Sequence, residues 1–176
     1  MNTAGAAAEL ESDRDFVITR IFDASRSQVF AAWTEPRLMA QWWGPHTFTN
    51  PVCELDVRPG GAYRIVMRST DGTDYPLSGV YREIVEPERL VMSVDCSGHG
   101  QEWHALVNAN GGTGAANAAG EVQQTITFEN PDGRTKLTVR MRFESKKIRD
   151  AMVGIGMNEG WSQSLERLAE LLAQNS

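Results

Sequence analysis

One group of residues in this sequence has the composition of a metal site. Cys96, His99, Glu102 and His104 follow one another closely in a stretch rich in glycine, alanine and asparagine. Thiolate, imidazole and carboxylate groups are the ligands that zinc prefers. Their spacing is irregular, however, and the neighbouring glycines offer no side chains that could orient the ligands. We therefore predict exposed loop histidines here, and neither a metal site nor a cofactor.

Groups for covalent or acid–base catalysis are sparse. The sequence contains no G-x-S-x-G elbow, no P-loop and no G-x-G-x-x-G run. Cys53 opens a predicted strand and is interpreted as a small buried hydrophobic residue. Glu159 could serve as a catalytic carboxylate if it points inward, although a solvated glutamate is the commoner arrangement on a helix. We predict no catalytic residue, and the sequence favours a protein that is not an enzyme.

Tryptophans, tyrosines and methionines favour a different chemistry, the binding of an apolar molecule. Their side chains offer large or adaptable apolar surfaces. Trp42 and Trp43 are adjacent, and on one helix they would diverge by about 100°, so one of them is expected near the mouth of a pocket. His46 and Tyr81 are assigned as hydrogen-bonding groups. The predicted ligand-binding residues are Trp43, His46, Tyr63, Ile65, Met67, Tyr81, Met92, Met152, Met157 and Trp161. The alternative is that these residues only pack a core.

The elements that must position these side chains centre on the stretch from Val52 to Val94, which is interpreted as four consecutive antiparallel strands. The Arg58–Gly61 segment is typical of a tight turn because proline fixes one corner and glycine accepts a positive φ. After it Tyr63, Ile65 and Met67 alternate with polar residues, which predicts a strand with one buried face. A bulge after the turn would exchange these inward residues for their neighbours.

The rest of the chain is expected to cover the apolar face of this sheet. Hydrophobic alternation predicts three further strands, and helical spacing with caps, proline and glycine predicts four helices. The strands are predicted at Phe16–Phe22, Glu121–Glu129 and Thr135–Phe143, and the helices after Ser25, at Pro36–Trp42, at Lys146–Val153 and at Met157–Leu172.

Composition indicates one domain in the reduced environment of the cytoplasm. The chain has 176 residues and two cysteines, too few cysteines for a disulfide framework. The net charge is −6 and the acidic residues are dispersed, which argues against nucleic acid as a partner. No secretory signal and no apolar run of about 18 residues are found. We predict a disordered segment at residues 1–13, a single domain at 14–176 and a flexible insertion at about 96–120.

Four runs of sequence resemble one known family. They are PRLMAQWWGP at 36–45, DVRPGGAYRIVM at 56–67, GVYREIVEPERLVMS at 79–93 and GMNEGWSQSLERLAELL at 156–172. In this order they resemble the family named after the activator of the heat-shock protein 90 ATPase, in the START and birch-pollen-allergen superfamily. The resemblance implies an α+β helix-grip fold, with two short helices after the first strand and a curved antiparallel sheet of six to seven strands around a long C-terminal helix. It also implies an apolar cavity between sheet and helix.

We therefore predict a protein that binds an apolar, aromatic or lipid-like small molecule in an internal cavity. Two alternatives follow from the resemblance: an enzyme of cyclase, hydratase or hydrolase type that uses the same cavity, and a protein that interacts with a chaperone. The chain shows no evident second domain for chaperone binding, which weighs against the last of these. A homodimer is a further expectation. The sequence does not identify the ligand.

Overall fold

A computed structural model describes residues 12–175, which form one curved antiparallel sheet and five α-helices within that range. The strands are β1 Asp15–Phe22, β2 Thr49–Leu55, β3 Ala62–Arg68, β4 Asp74–Val85, β5 Arg89–Val94, β6 Val122–Glu129 and β7 Thr135–Arg142. The helices are α1 Arg26–Thr34, α2 Pro36–Trp42, α3 Gln101–Ala109, α4 Lys146–Gly154 and α5 Met157–Gln174. The strand order is β1-β7-β6-β5-β4-β3-β2. The predicted α+β helix-grip fold is confirmed.

Strand β3 shows how alternation sets the faces of the sheet. Tyr63 and Ile65 are buried on the concave face, whereas Arg64 and Arg68 are exposed. The register of β3 against β4 is continuous from Ala62 onward, so no bulge follows the Arg58–Gly61 turn. Tyr63, Ile65 and Met67, the residues predicted to point inward, therefore share the inner face of the sheet. The irregularities lie elsewhere, in β2 after Thr49 and in β4 after Tyr81.

Helices α1, α2 and α5 lie on the concave side and contact one another, and α5 also contacts β1 and α4. Ser25 caps α1 through a reciprocal pair of hydrogen bonds with Gln28. Pro36 occupies the first turn of α2, where its missing N–H costs nothing. Ile155 and Gly156 separate α4 from α5, and Gly156 has a φ of 104°, so the predicted break between two helices is confirmed.

The segment 96–120 differs from its prediction. Residues Gln101–Ala109 form helix α3, which was predicted to be loop, and His104 and Val107 are buried on one side of it. The glycine-rich composition that favoured a loop belongs to the residues after this helix. His99 and His104 were predicted to be exposed, and this is wrong, since each is only 8% exposed. The imidazole rings pack against Trp103, with centroids 4.4 Å and 5.0 Å away.

An ion pair with a buried carboxylate links β1 to β7. The carboxylate of Asp15 is only 1% exposed, and Arg142 donates to its two oxygens over 2.8 Å and 3.0 Å. Ser12 precedes this strand, and its carbonyl accepts a hydrogen bond from the Asp15 N–H. The predicted disordered segment otherwise falls at residues 1–11, outside the described residues. No helix in the described part of the chain could span a membrane.

Candidate functional site

A transverse row of four side chains crosses the middle of the concave face. Antiparallel pairing sets Tyr81 of β4 opposite Met92 of β5, Met92 opposite Gln124 of β6, and Gln124 opposite Met141 of β7. Paired residues on neighbouring strands share a face, and all four of these are buried. The row therefore combines two flexible thioethers with a phenol and an amide in the interior of the protein.

Tyr81 has a hydroxyl group without a hydrogen-bond partner among the described residues, although the whole residue is buried. Its neighbour Tyr63, with a ring centroid 5.6 Å away, donates its hydroxyl to the Ser93 carbonyl over 2.6 Å. Burial, and to a lesser degree nearby Cys53 and Asp56, raise the pKa of Tyr81 above its ordinary value. The hydroxyl stays protonated near neutrality and can donate a hydrogen bond.

Gln124 is the second polar group of this row. It is 1% exposed, and its side-chain N–H group points to the Met92 sulfur over 3.9 Å. A thioether is a weak acceptor, so the amide is poorly satisfied by this contact. Sequence reasoning omitted Gln124, yet the signal was present: Val122 and Ile126 point inward, and a residue midway between them in a strand must point the same way.

Four tryptophans form a wall beside the row. Trp33, Trp42, Trp43 and Trp161 lie with ring centroids between 4.8 Å and 6.1 Å apart. The Trp161 N–H approaches the Met141 sulfur over 3.3 Å, which ties α5 to the row. The N–H groups of Trp33 and Trp43 are buried and, within residues 12–175, unpartnered.

The expectation that Trp42 and Trp43 cannot both be buried is wrong. Trp42 is fully buried and Trp43 is 6% exposed. The prediction assumed that both residues belong to one helix, where their side chains would diverge. Trp43 in fact caps the end of the helix, and its ring is buried because it packs against Trp33, Trp42 and Trp161, with centroids 5.8, 5.4 and 5.4 Å away.

Partly exposed apolar side chains mark where this interior approaches solvent. On the sheet they are Cys53 and Leu55 of β2 and Met67 of β3, and on the opposite side they are Met157 and Trp161 of α5. Burial raises the pKa of the Cys53 thiol to about 11, so the thiol stays neutral and behaves as apolar surface. Strands β2 and β3 and the start of α5 therefore carry partly exposed apolar side chains next to the buried row.

The structure brings most of the predicted residues to one region. Trp43, Tyr63, Ile65, Tyr81 and Met92 are buried there, and Met67, Met157 and Trp161 are partly exposed beside them. Met152 is buried on α4, which contacts α3, α5 and β1, and so lies toward the opposite edge of the sheet from β3. His46 is exposed, and its Nε2 lies 2.8 Å from the Glu166 carboxylate. Glu159 is also exposed.

Three depressions open elsewhere on the surface. They measure about 520, 770 and 220 Å³. Two lie largely against the polar outer side of the sheet, around Arg82 and Gln123 and around Arg89 and Thr127. The third is a small groove between α1, α2 and the end of α5. None of these three is lined by a predicted ligand-binding residue, and the described residues contain no group of three metal-ligating side chains.

Comparisons with known proteins agree with this architecture. A protein from Nitrosomonas europaea is similar in structure, with a TM-score of 0.76 and 23% identity over 94% of this chain and 97% of its own. A protein from Arthrobacter aurescens has a TM-score of 0.74 and 25% identity, covering 93% and 90% of the two chains. None of the curated proteins matches the chain significantly. The family model of "Activator of Hsp90 ATPase homolog 1-like protein" matches residues 23–173. The chain therefore belongs to this family.

Proposed function

We propose that the protein binds a small, largely apolar molecule that carries one hydrogen-bonding group, between the concave face of the sheet and α5. The observation that carries this proposal is the Tyr81 hydroxyl, buried and without a partner in the described part of the chain. Buried polar groups are nearly always hydrogen-bonded, and leaving one unpaired costs about 1–3 kcal/mol. A ligand acceptor placed against Tyr81 would recover that cost.

The surroundings of Tyr81 suit an apolar ligand body. Met92 and Met141 belong to the same row as Tyr81, and methionine adapts its shape to different occupants. The tryptophan wall supplies flat apolar surface, and the N–H of Trp43 is a second buried donor without a partner among residues 12–175. A ligand with a planar or aliphatic body and a single acceptor would match this pattern of few polar groups in an apolar site.

The row favours binding over chemistry. It contains a phenol, an amide and two thioethers, and none of these four side chains is a base at neutral pH. The raised pKa of Tyr81 makes its phenolate a rare species, so Tyr81 would polarise a ligand carbonyl rather than remove a proton. Glu159, which could serve as a catalytic carboxylate only if it pointed inward, is exposed, so Tyr81 is the one titratable side chain of the row that the cyclase, hydratase or hydrolase alternative could use.

Binding of Nile red, an uncharged apolar dye with a carbonyl acceptor, tests the proposal by fluorescence titration. We expect saturable binding, and we expect Tyr81→Phe to weaken it by about 2–10-fold, the worth of one net hydrogen bond. Tyr75→Phe is the matched control because Tyr75 packs against Phe48 and His99, away from the row. Absence of saturable binding, or equal losses in both variants, would contradict the assignment.

A further inference from the structure

The segment that joins α2 to β2 spans the approach to the row. Residues 43–48, here named the strap, connect the sheet to α5. A Cβ atom added to Gly44 would lie 3.1 Å from the Met67 sulfur of β3, and one added to Gly160 of α5 would lie 3.8 Å from the Pro45 ring. The strap therefore lies in close contact with Met67 of β3 and with the start of α5, two places where apolar side chains are partly exposed.

Arg167 of α5 binds the strap through hydrogen bonds to its backbone carbonyls. Nη1 of Arg167 donates to the carbonyls of Trp43, Gly44 and Pro45 over 2.9, 2.9 and 3.0 Å, and Nη2 donates to the Gln41 carbonyl over 3.0 Å. Carbonyls at the end of a helix lack partners within the helix. Arg167 supplies those partners from α5, and the Asn50 side chain also donates to the Trp43 carbonyl over 2.8 Å. Arg167 is therefore the main polar contact between the strap and α5.

The outer part of the strap is attached more weakly. The His46 N–H donates to the Gln163 side-chain oxygen over 3.1 Å, and the His46 ring pairs with Glu166 over 2.8 Å. The side chains of His46 and Glu166 are 43% and 49% exposed. Exposed pairs of this kind contribute little to stability because solvent and salt screen them, so they orient the strap but attach it only weakly.

The backbone of the strap is strained in this position. Thr47 has a φ of 74°, in the left-handed region that β-branched residues rarely adopt. Such conformations are unfavourable and persist only where surrounding contacts impose them. The side chain of Thr47 is exposed, so the strain is not offset by burial of that side chain. The hydrogen bonds from Arg167 therefore stabilise the observed position of the strap, whereas the strained backbone at Thr47 destabilises it.

We propose that the strap is a gate that pivots at Trp43, whose ring stays in the tryptophan wall. Residues 44–48 close the ligand site while Arg167 binds the strap carbonyls, and they move away to admit or release the ligand while Thr47 relaxes to a negative φ. This proposal rests on the proposed function for its ligand, but the gate itself is a property of the chain. Opening would uncover the path between Met67 and Trp161 toward Tyr81. Rates of entry and exit would then depend on Arg167 and Thr47, neither of which is assigned to the ligand site.

Two variants shift the gate in opposite directions. Arg167→Met keeps the aliphatic stem and removes the donors, so we expect Nile red to bind and dissociate about tenfold faster in stopped-flow fluorescence. Thr47→Asn relieves the strain, since asparagine tolerates the left-handed region, and we expect both rates to fall about tenfold. The dissociation constant should change by less than about threefold in each, because the gate alters access more than contact.

Amide hydrogen exchange of residues 43–48 is the readout that needs no dye. Exchange should be faster in Arg167→Met and slower in Thr47→Asn, whereas exchange at Leu165 and Leu168 in the middle of α5 should not change. If Nile red binds but its rates are the same in all three proteins, the gate is refuted and the binding site stands. If exchange responds as expected and no dye binds, the gate motion stands and the proposed function is refuted. Thr47→Asn alone carries the test if Arg167→Met fails to fold.

Discussion

Acidification should weaken the protein through His99, which precedes α3. Its ring lies between Tyr75 and Trp103, with centroids 5.4 Å and 4.4 Å away, and its Nδ1 is buried without a partner in the described residues. Burial first, and then the nearby His104, lower the pKa of His99 from 6.5 to about 4; the Pro76 and Cys96 carbonyls and Asp95 act against this shift. The native state therefore holds a neutral imidazole where an unfolded chain would accept a proton.

The direction of the effect follows from this lowered pKa. Below about pH 6.5 the unfolded chain binds a proton that the folded chain refuses, so the free energy of unfolding falls with pH until about pH 4, where folded His99 also titrates. The contribution of His99 to the free energy of unfolding is complete above about pH 6.5 and is lost as the pH falls from about 6.5 to about 4. With about 1.4 kcal/mol for each pH unit, the loss attributable to His99 is about 3 kcal/mol between neutrality and pH 4.

Urea unfolding at several pH values, followed by circular dichroism, measures this loss. The comparison protein is His99→Phe, which keeps a ring between Tyr75 and Trp103 and cannot be protonated. Surface carboxylates titrate in both proteins and cancel in the difference. Between about pH 7 and pH 4 the free energy of unfolding of the native protein should fall by about 3 kcal/mol more than that of His99→Phe. Parallel curves would show that His99 is protonated freely in the folded state and would refute the reasoning.

Three further outcomes are expected. Asp15→Asn removes the carboxylate that pairs with Arg140 and Arg142, whose side chains are 15% and 30% exposed, and should lower the free energy of unfolding by about 1–3 kcal/mol; no measurable loss by urea titration would contradict this. Ser25→Ala removes the capping box of α1 and should cost about 1 kcal/mol in the same assay, with no loss as the opposing result. A thiol reagent should modify half-buried Cys53 before buried Cys96, whose pKa is raised to about 12; faster reaction at Cys96 would argue against its burial.

Local patterns were sufficient to predict most of the fold. Alternation placed Tyr63 and Ile65 on the inner face because a strand has a side-chain period of two. The glycines between two apolar faces predicted the break before Met157, since one straight helix could not bury both faces against one sheet. These features depend on residues that are near one another in the chain.

The features that sequence reasoning missed depend on long-range contacts. Helix α3 is stabilised by packing of His104 and Val107, which its glycine-rich surroundings concealed. Trp43 is buried because its ring packs against Trp33 and against Trp161 of α5, which is distant in the sequence. Arg167 is a charged residue on an exposed helix pattern, and only the fold brings it to the carbonyls of residues 41–45. No periodicity in the sequence encodes such a contact.

Native mass spectrometry of the protein purified from its own host tests the central claim most directly. The protein is sprayed intact, then denatured, and the released fraction is searched for small molecules. We predict a native mass above that of the chain alone, with one apolar compound carrying a hydrogen-bond acceptor released on denaturation. The mass of the bare chain, together with no saturable binding of Nile red, would contradict the proposal that the interior around Tyr81 is a ligand site.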